Sequence, residues 1–507
     1  MSESIEASLN NDQIQDTPKG HPKGLYVLFM TEMWERFSYY GMRALLVLYL
    51  TAQLINGGFE LDRTAALEIY AIFTGLVYLT PIIGGLLADK LLGQRKAIFI
   101  GGILMALGQF TLAYSNIGDE VARTWLLHLG LGILIVGNGF FKPNISTMVG
   151  RLYSDHDPRK DSAFTIFYMG INLGAFLAPL VCGYLAVKFG WAYGFGAAGI
   201  GMLIGTLWFL FQGHILGNVG FPPNKTLNAS TKLEAKDWVH VLLYVIGALI
   251  VVYTLLLTWT GFAESTRSTL TTILAIIGGL SLIYIIFSNT SGTVEWKRVG
   301  VILVLCFFNI FFWAGFEQAG GTFNLFAEAN TDRSVFNFEI PAAWFQSVNS
   351  IWIISLAPLI SLLWLKLSNI GKNPNIPVKF AFGLILLGLG FIVMSLANTA
   401  AADNNLVSPM WLIIVYFLHT VAELCLSPIG LSMISKLSPQ KIVSVMMGLW
   451  FASIALANYM AGVLESVLQD YFPEMQLFNF LTLTSLSAGI ILLLISPVLK
   501  KLMSGIS

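Results

Sequence analysis

Apolar stretches of about twenty residues recur along the chain from Tyr26 to Leu502, and this recurrence limits the possible folds more than any other feature. At 1.5 Å per residue, each is long enough to cross a hydrocarbon core roughly 30 Å thick. Lipid offers no water to backbone N–H and C=O groups, so only helices and closed barrels span it. Spanning strands would be shorter and would alternate in polarity. These stretches do neither, so an all-α integral membrane protein is expected. The balance of 56% hydrophobic to 11% charged residues over 507 positions fits no protein with a large wet surface.

Fourteen spans are expected, at approximately 26–55, 66–90, 97–115, 122–149, 162–187, 192–213, 237–260, 269–288, 299–327, 341–366, 378–397, 408–435, 442–467 and 476–499. With the N-terminus inside, 20 of the 28 basic residues fall in loops assigned to the cytoplasm. The outer loops keep Arg63, Arg123, Lys188, Arg267 and Arg333, alongside acids such as Glu60, Asp62, Glu328 and Glu474. This bias places both termini inside. Residues 1–24 are polar and lack the apolar core and cleavage site of a signal peptide, so they read as a cytoplasmic tail. Cys182, Cys306 and Cys425 lie in apolar segments without metal-ligand spacing and read as packing residues.

Four landmarks repeat in order. Trp34 aligns with Trp313, Pro81 with Pro358, Pro143 with Pro428 and Phe167 with Trp450, at separations of 279, 277, 285 and 283. Two six-helix halves follow, 25–213 and 291–507. Between them lie a cytoplasmic linker at 214–236, containing Phe221-Pro222-Pro223, and an inserted helix pair at 237–290. A parallel repeat of this kind suits a carrier that rocks around a central cavity.

Arg36, Arg43 and Lys142 are the three basic residues that no loop absorbs. A charge at bilayer depth costs at least about 2.5 kcal/mol, so each is a functional candidate. In the first span, Arg36, Tyr39 and Arg43 stay within about 40° of Glu32 at 100° per residue, and Glu35 and Tyr40 flank that stripe. The plainer reading, carboxylates and cations that only lock helices together, stands beside this one. The fourth span carries Gly137-Asn138-Gly139-Phe140-Phe141-Lys142-Pro143-Asn144, where Pro143 frees a carbonyl one turn earlier. Glu317 follows Trp313 by four positions, and Glu423 lies midway between His419 and Ser427. A carboxylate that can exchange a cationic partner for a proton is the elementary unit of proton coupling. His419, lone on an apolar helix, reads as a hydrogen-bonded packing residue. With no nucleophile–base pair, metal cluster or phosphate loop evident, no enzyme is expected.

These residues resemble the proton-dependent oligopeptide transporters (POT) of the major facilitator superfamily. The motif E-x-x-E-R-F-x-Y-Y-G runs from Glu32 to Gly41, a second signature from Gly84 to Gly93 continues into Arg95 and Lys96, and F-Y-x-x-I-N-x-G runs from Phe167 to Gly174. The resemblance implies the major facilitator fold, two six-helix bundles plus the inserted pair, with that pair as in bacterial members. It implies proton-driven symport of di- and tripeptides across a bacterial inner membrane, with no cofactor, nucleic acid or obligatory protein partner. Arg36, Tyr40, Arg43 and Lys142 would hold the peptide carboxylate, and Asn172, Asn349 and Glu423 its amino end. Tyr78, Trp313, Phe316, Trp344, Ser427 and Trp450 would line side-chain pockets. Glu32, Glu35, Arg36 and Glu317 would carry proton coupling, with Arg43–Glu317 and Lys142–Glu423 as gate salt bridges. The span at 66–90 has no histidine, unlike animal members, so coupling would rest on carboxylates. The glycine-rich loop around Asp89 would brace helices. Transport of another small anion such as nitrate on the same fold is the alternative.

Overall fold

The computed structural model describes residues 20–154, 157, 159–221, 235–259, 280, 283–402 and 405–503. Its helices are α1 (Lys23–Thr51), α2 (Arg63–Leu87), α3 (Gln94–Tyr114), α4 (Glu120–Arg151), α5 (Lys160–Phe189), α6 (Trp191–Gln212) and α7 (Ala235–Trp259). They continue as α8 (Thr293–Phe316), the short α9 (Thr322–Asn330), α10 (Gln346–Asn369), α11 (Ile376–Ala400), α12 (Met410–Leu437), α13 (Val443–Tyr471) and α14 (Leu477–Leu502). A two-stranded antiparallel hairpin, β1 (Ser334–Val335) and β2 (Phe338–Glu339), joins α9 to the turn before α10.

Eleven helical stretches among the described residues are long and apolar enough to cross a membrane, and Val241–Leu256 is a shorter one. The chain is a multi-pass membrane protein. At 29 residues α1 has the length as well, but it carries Glu32, Glu35, Arg36 and Arg43. The expected span at 269–288 falls largely outside the described residues, which are helical at 283–289.

Two expectations change in detail. The span at 299–327 is not one helix: α8 ends at Phe316, a 3-10 turn covers Glu317–Gly320, and α9 begins at Thr322. Gly320 and Gly321 are weak helix formers, and they fall where the helix breaks. Around Asp89 the chain stays helical, as a π turn over Ala88–Leu92 closed by the Gly93 N–H on the Ala88 carbonyl at 2.8 Å. Gly93, at φ +73°, then makes the corner that only glycine makes without strain. Gln94 donates to Asp89 at 3.2 Å, and Arg151 at the end of α4 donates to Gln94 at 2.9 Å.

Two compact units emerge, one holding the chain up to Leu45 with Thr80–Tyr253, the other Leu46–Leu79 with the chain from Thr254. In the first, α3 packs against α4 and α6. In the second, α11 packs against α12 and α14. These helices hold matching places in the two halves, so the sequence repeat reappears as repeated packing.

Small residues set how closely the helices of the first unit approach, as they do in membrane bundles generally. A Cβ on Gly101 of α3 would lie 2.6 Å from the Gly137 carbonyl, and one on Gly108 would lie 2.9 Å from the Gly130 carbonyl. The two pairs, each seven residues apart, form one seam. Gly174 of α5 similarly rests on the Met33 carbonyl and the Arg36 Cβ of α1, and Gly205 of α6 rests on Trp34. The charged middle of α1 is therefore enclosed on two sides by helices that approach to backbone contact.

Candidate functional site: a buried charge network on α1

Helical spacing puts Glu32 one turn before Arg36, and the structure closes that turn into an ion pair. Arg36 Nε donates to Glu32 Oε1 at 2.7 Å and lies 3.1 Å from Glu35 Oε2. Glu32 and Glu35 are at most 1% exposed and Arg36 8%, so the group is dry and both carboxylates share one guanidinium. Asn138 of α4 completes it, donating from Nδ2 to Glu35 Oε1 at 3.2 Å. Lys142, one turn further along α4, acts electrostatically on Glu35. Counted as formal charges, Glu32, Glu35, Arg36 and Lys142 sum to zero.

Pro143 explains how α4 comes so near. Proline cannot donate to the carbonyl four residues back, which is that of Gly139. Gly84 of α2 packs on this carbonyl so closely that a Cβ there would strike it. Gly139 in turn lies against Thr80, whose hydroxyl donates to the Ile135 carbonyl at 3.0 Å. The carbonyl that Pro143 frees is thus the place where α2 and α4 lock together, directly beside Asn138.

Other expected residues of this unit lie on α1 and α5. Arg43 is buried, with its guanidinium 5.6 Å from the Tyr40 ring centre, and Tyr40 meets Tyr39 edge to face. Asn172 is buried, but its amide donates to the Tyr168 carbonyl of its own helix at 2.9 Å.

In the second unit, Asn349 of α10 joins Glu423 of α12, donating to its Oε2 at 3.2 Å and to the Thr420 hydroxyl at 2.9 Å. Glu317 opens the 3-10 turn after α8 and is buried. Trp313 and Phe316 meet edge to face at 5.3 Å, and the Trp313 indole N–H is buried with no hydrogen-bond partner among the described residues. Trp450 is buried against Phe380 and Gly430. Trp344 contacts Phe338 of the hairpin, while Tyr78 and Ser427 are half-buried. His419 is a packing residue, as expected. Its Nε2 pairs with the Leu387 carbonyl at 3.1 Å among the rings of Phe316, Phe323 and Phe391.

Asn138 is the member that the sequence did not single out. The flanking glycines signalled close packing there. Its partner lies 103 residues away, and no helical periodicity links the two.

Residues 95–478 match the profile of the POT family. The chain is 39% identical to the uncharacterized transporter YclF of Bacillus subtilis, over 99% of its own length and all of that protein's. It is 34% identical to a di-/tripeptide transporter of Lactococcus lactis subsp. cremoris, over 98% and 99% of the two lengths. A crystal structure of a peptide transporter POT in complex with sulfate superposes on the full length of both chains, with a TM-score of 0.83 at 38% identity.

Proposed function

The chain belongs to the POT family, and from this membership and the buried network on α1 we propose that it carries di- and tripeptides into the cell together with protons, by alternating access. One observation supports this most directly: a dry cluster in which two carboxylates, Glu32 and Glu35, share Arg36. With Lys142 the cluster is neutral. A peptide carboxylate docking on Arg36 and Lys142, helped by Tyr40 and by Arg43, whose own charge Glu317 offsets in this proposal, adds a negative charge that low-dielectric surroundings tolerate poorly. A proton taken up by Glu32 or Glu35 restores the balance. Peptide and proton then favour each other's binding, and the preference is reciprocal by thermodynamic necessity.

At the other end of the peptide, Glu423 and Asn349 receive the ammonium, with Asn172 as a further amide. Tyr78, Trp313, Phe316, Trp344, Ser427 and Trp450 take the side chains, since aromatic walls accept many shapes. Arg43 with Glu317 and Lys142 with Glu423 are the charge pairs made and broken during the cycle. The site of action is the inner membrane of a bacterium, with both ends of the chain in the cytoplasm, in keeping with the distribution of basic residues.

Purified protein in liposomes tests the reading. An inward proton gradient should drive dialanine to an internal concentration above the external one, and unlabelled tripeptide should compete where nitrate does not. No accumulation above equilibrium would refute proton-coupled peptide transport.

A further inference from the structure

A proton carrier buried as Glu35 is needs a hydrogen-bond partner in both its ionised and its protonated state. We propose that Asn138 is a positioning residue that serves both protonation states of Glu35 and so sets the pH range over which the carrier couples. This inference rests on Glu35 acting in coupling.

Glu35 is fully buried, and its Oε1 accepts from Asn138 Nδ2 at 3.2 Å. Asn138 is itself 1% exposed, and its Oδ1 is buried with no hydrogen-bond partner among the described residues. The charged groups acting on Glu35 are Glu32 and Arg36 on its own helix and Lys142 on α4, while Arg36 also feels Tyr40. Arg36 and Lys142 can only donate hydrogen bonds. They suit a carboxylate, which only accepts, and offer nothing to the O–H of a carboxylic acid.

A carboxamide offers both roles. Half a turn about the Asn138 Cβ–Cγ bond exchanges Nδ2 for Oδ1. Ionised Glu35 then meets a donor and protonated Glu35 meets an acceptor, with no other change in position. Without that exchange the O–H of protonated Glu35 would face a donor in a buried site, where an unmet hydrogen-bonding group is costly. The idle Oδ1 is what this exchange requires.

The backbone holds the amide in reach. A Cβ on Gly137 would lie 2.8 Å from the Met105 side chain and 2.9 Å from the Gly101 carbonyl, and one on Gly139 would lie 2.8 Å from the Thr80 Cβ. Asn138 therefore sits on a segment pinned between α2 and α3. It can rotate its amide but cannot withdraw.

The test is the pH profile of gradient-driven dialanine uptake in proteoliposomes for Asn138→Asp, Asn138→Leu and Glu35→Gln. The isosteric Asn138→Asp sets a second acid beside Glu35 and should move the profile about one unit to higher pH. Asn138→Leu, with neither donor nor acceptor, should lower the accumulation ratio about tenfold. In a Glu35→Gln background, where gradient-driven accumulation is already lost, Asn138→Asp should leave the pH dependence of dialanine counterflow unchanged. Wild-type pH profile and accumulation in both Asn138 variants, with Glu35→Gln uncoupled, would overturn the role of Asn138 alone. A wild-type profile in Glu35→Gln would overturn the coupling reading beneath it. Should Asn138→Leu not fold, the isosteric Asn138→Asp still decides the matter.

Discussion

At the scale of single residues, titratable groups divide by what surrounds them. Glu32 and Glu35 share Arg36 away from water, so replacing either with Gln removes a proton site while keeping shape. Glu32→Gln or Glu35→Gln should reduce gradient-driven accumulation to equilibrium while peptide counterflow persists, as isotope exchange across proteoliposomes would report. Undiminished accumulation by both would remove them from coupling. Asp157, in the loop between α4 and α5, is a contrasting case. Hydrogen bonds from the Arg159 side chain and backbone N–H hold its carboxyl down at about 2. A depressed value means that the clasp is fully formed above the ordinary carboxylate value of about 4 and is lost only as pH falls through about 2. Asp157 is therefore ionised throughout the working range. Asp157→Asn should leave the pH dependence of uptake superimposable on wild type, and a displaced profile would show a loop charge entering the coupling.

At the scale of helices, contact is controlled by where a Cβ is absent. On Gly84 a Cβ would strike the carbonyl that Pro143 frees, whereas on Gly300 of α8 it would meet nothing within 4 Å. Gly84→Ala should destabilise by about 1–3 kcal/mol or more, because the obstacle is backbone and cannot rotate aside. Gly300→Ala should stabilise by up to about 1 kcal/mol through helix propensity. Melting in detergent separates the two, and equal midpoints would deny the close approach of α2 and α4. This contrast also shows what was legible in the sequence. Hydropathy located the spans because lipid imposes one requirement on every residue in a segment. It did not show the break at Glu317–Gly320 or the 334–339 hairpin, whose causes are local glycines and a short turn rather than hydrophobicity. The freed carbonyl at Pro143 was legible, but its contact with Gly84 was not, since that contact joins helices far apart in sequence.

At the scale of the whole molecule, the two halves share two helix pairings, α3 with α4 and α6 in one and α11 with α12 and α14 in the other, and differ in charge. Arg36, Arg43 and Lys142 outnumber Glu32 and Glu35 in one unit, whereas Glu317 and Glu423 stand on the other. The sequence showed these charges because each is costly in lipid. It did not show Asn138, the amide that donates to Glu35, because a neutral amide costs less to insert than a charge and leaves no periodic trace; Asn349 came from the family resemblance. If one unit reads the carboxylate of a peptide and the other its ammonium, altering either end of the ligand should be felt by one set of residues only. Lys142→Ala should weaken uptake of all peptides alike, because the carboxylate is common to them. Glu423→Gln should weaken uptake of dialanine at least tenfold, since removing one partner of a buried, hydrogen-bonded charge pair costs about 2–5 kcal/mol. It should scarcely affect N-acetyl-dialanine, which has no ammonium to lose. Wild type should therefore prefer the free dipeptide, and Glu423→Gln should erase most of that preference, because the two changes delete the same contact and cannot add. Competition against labelled dialanine measures all four combinations. Additive losses would mean that the ammonium is held elsewhere than at Glu423.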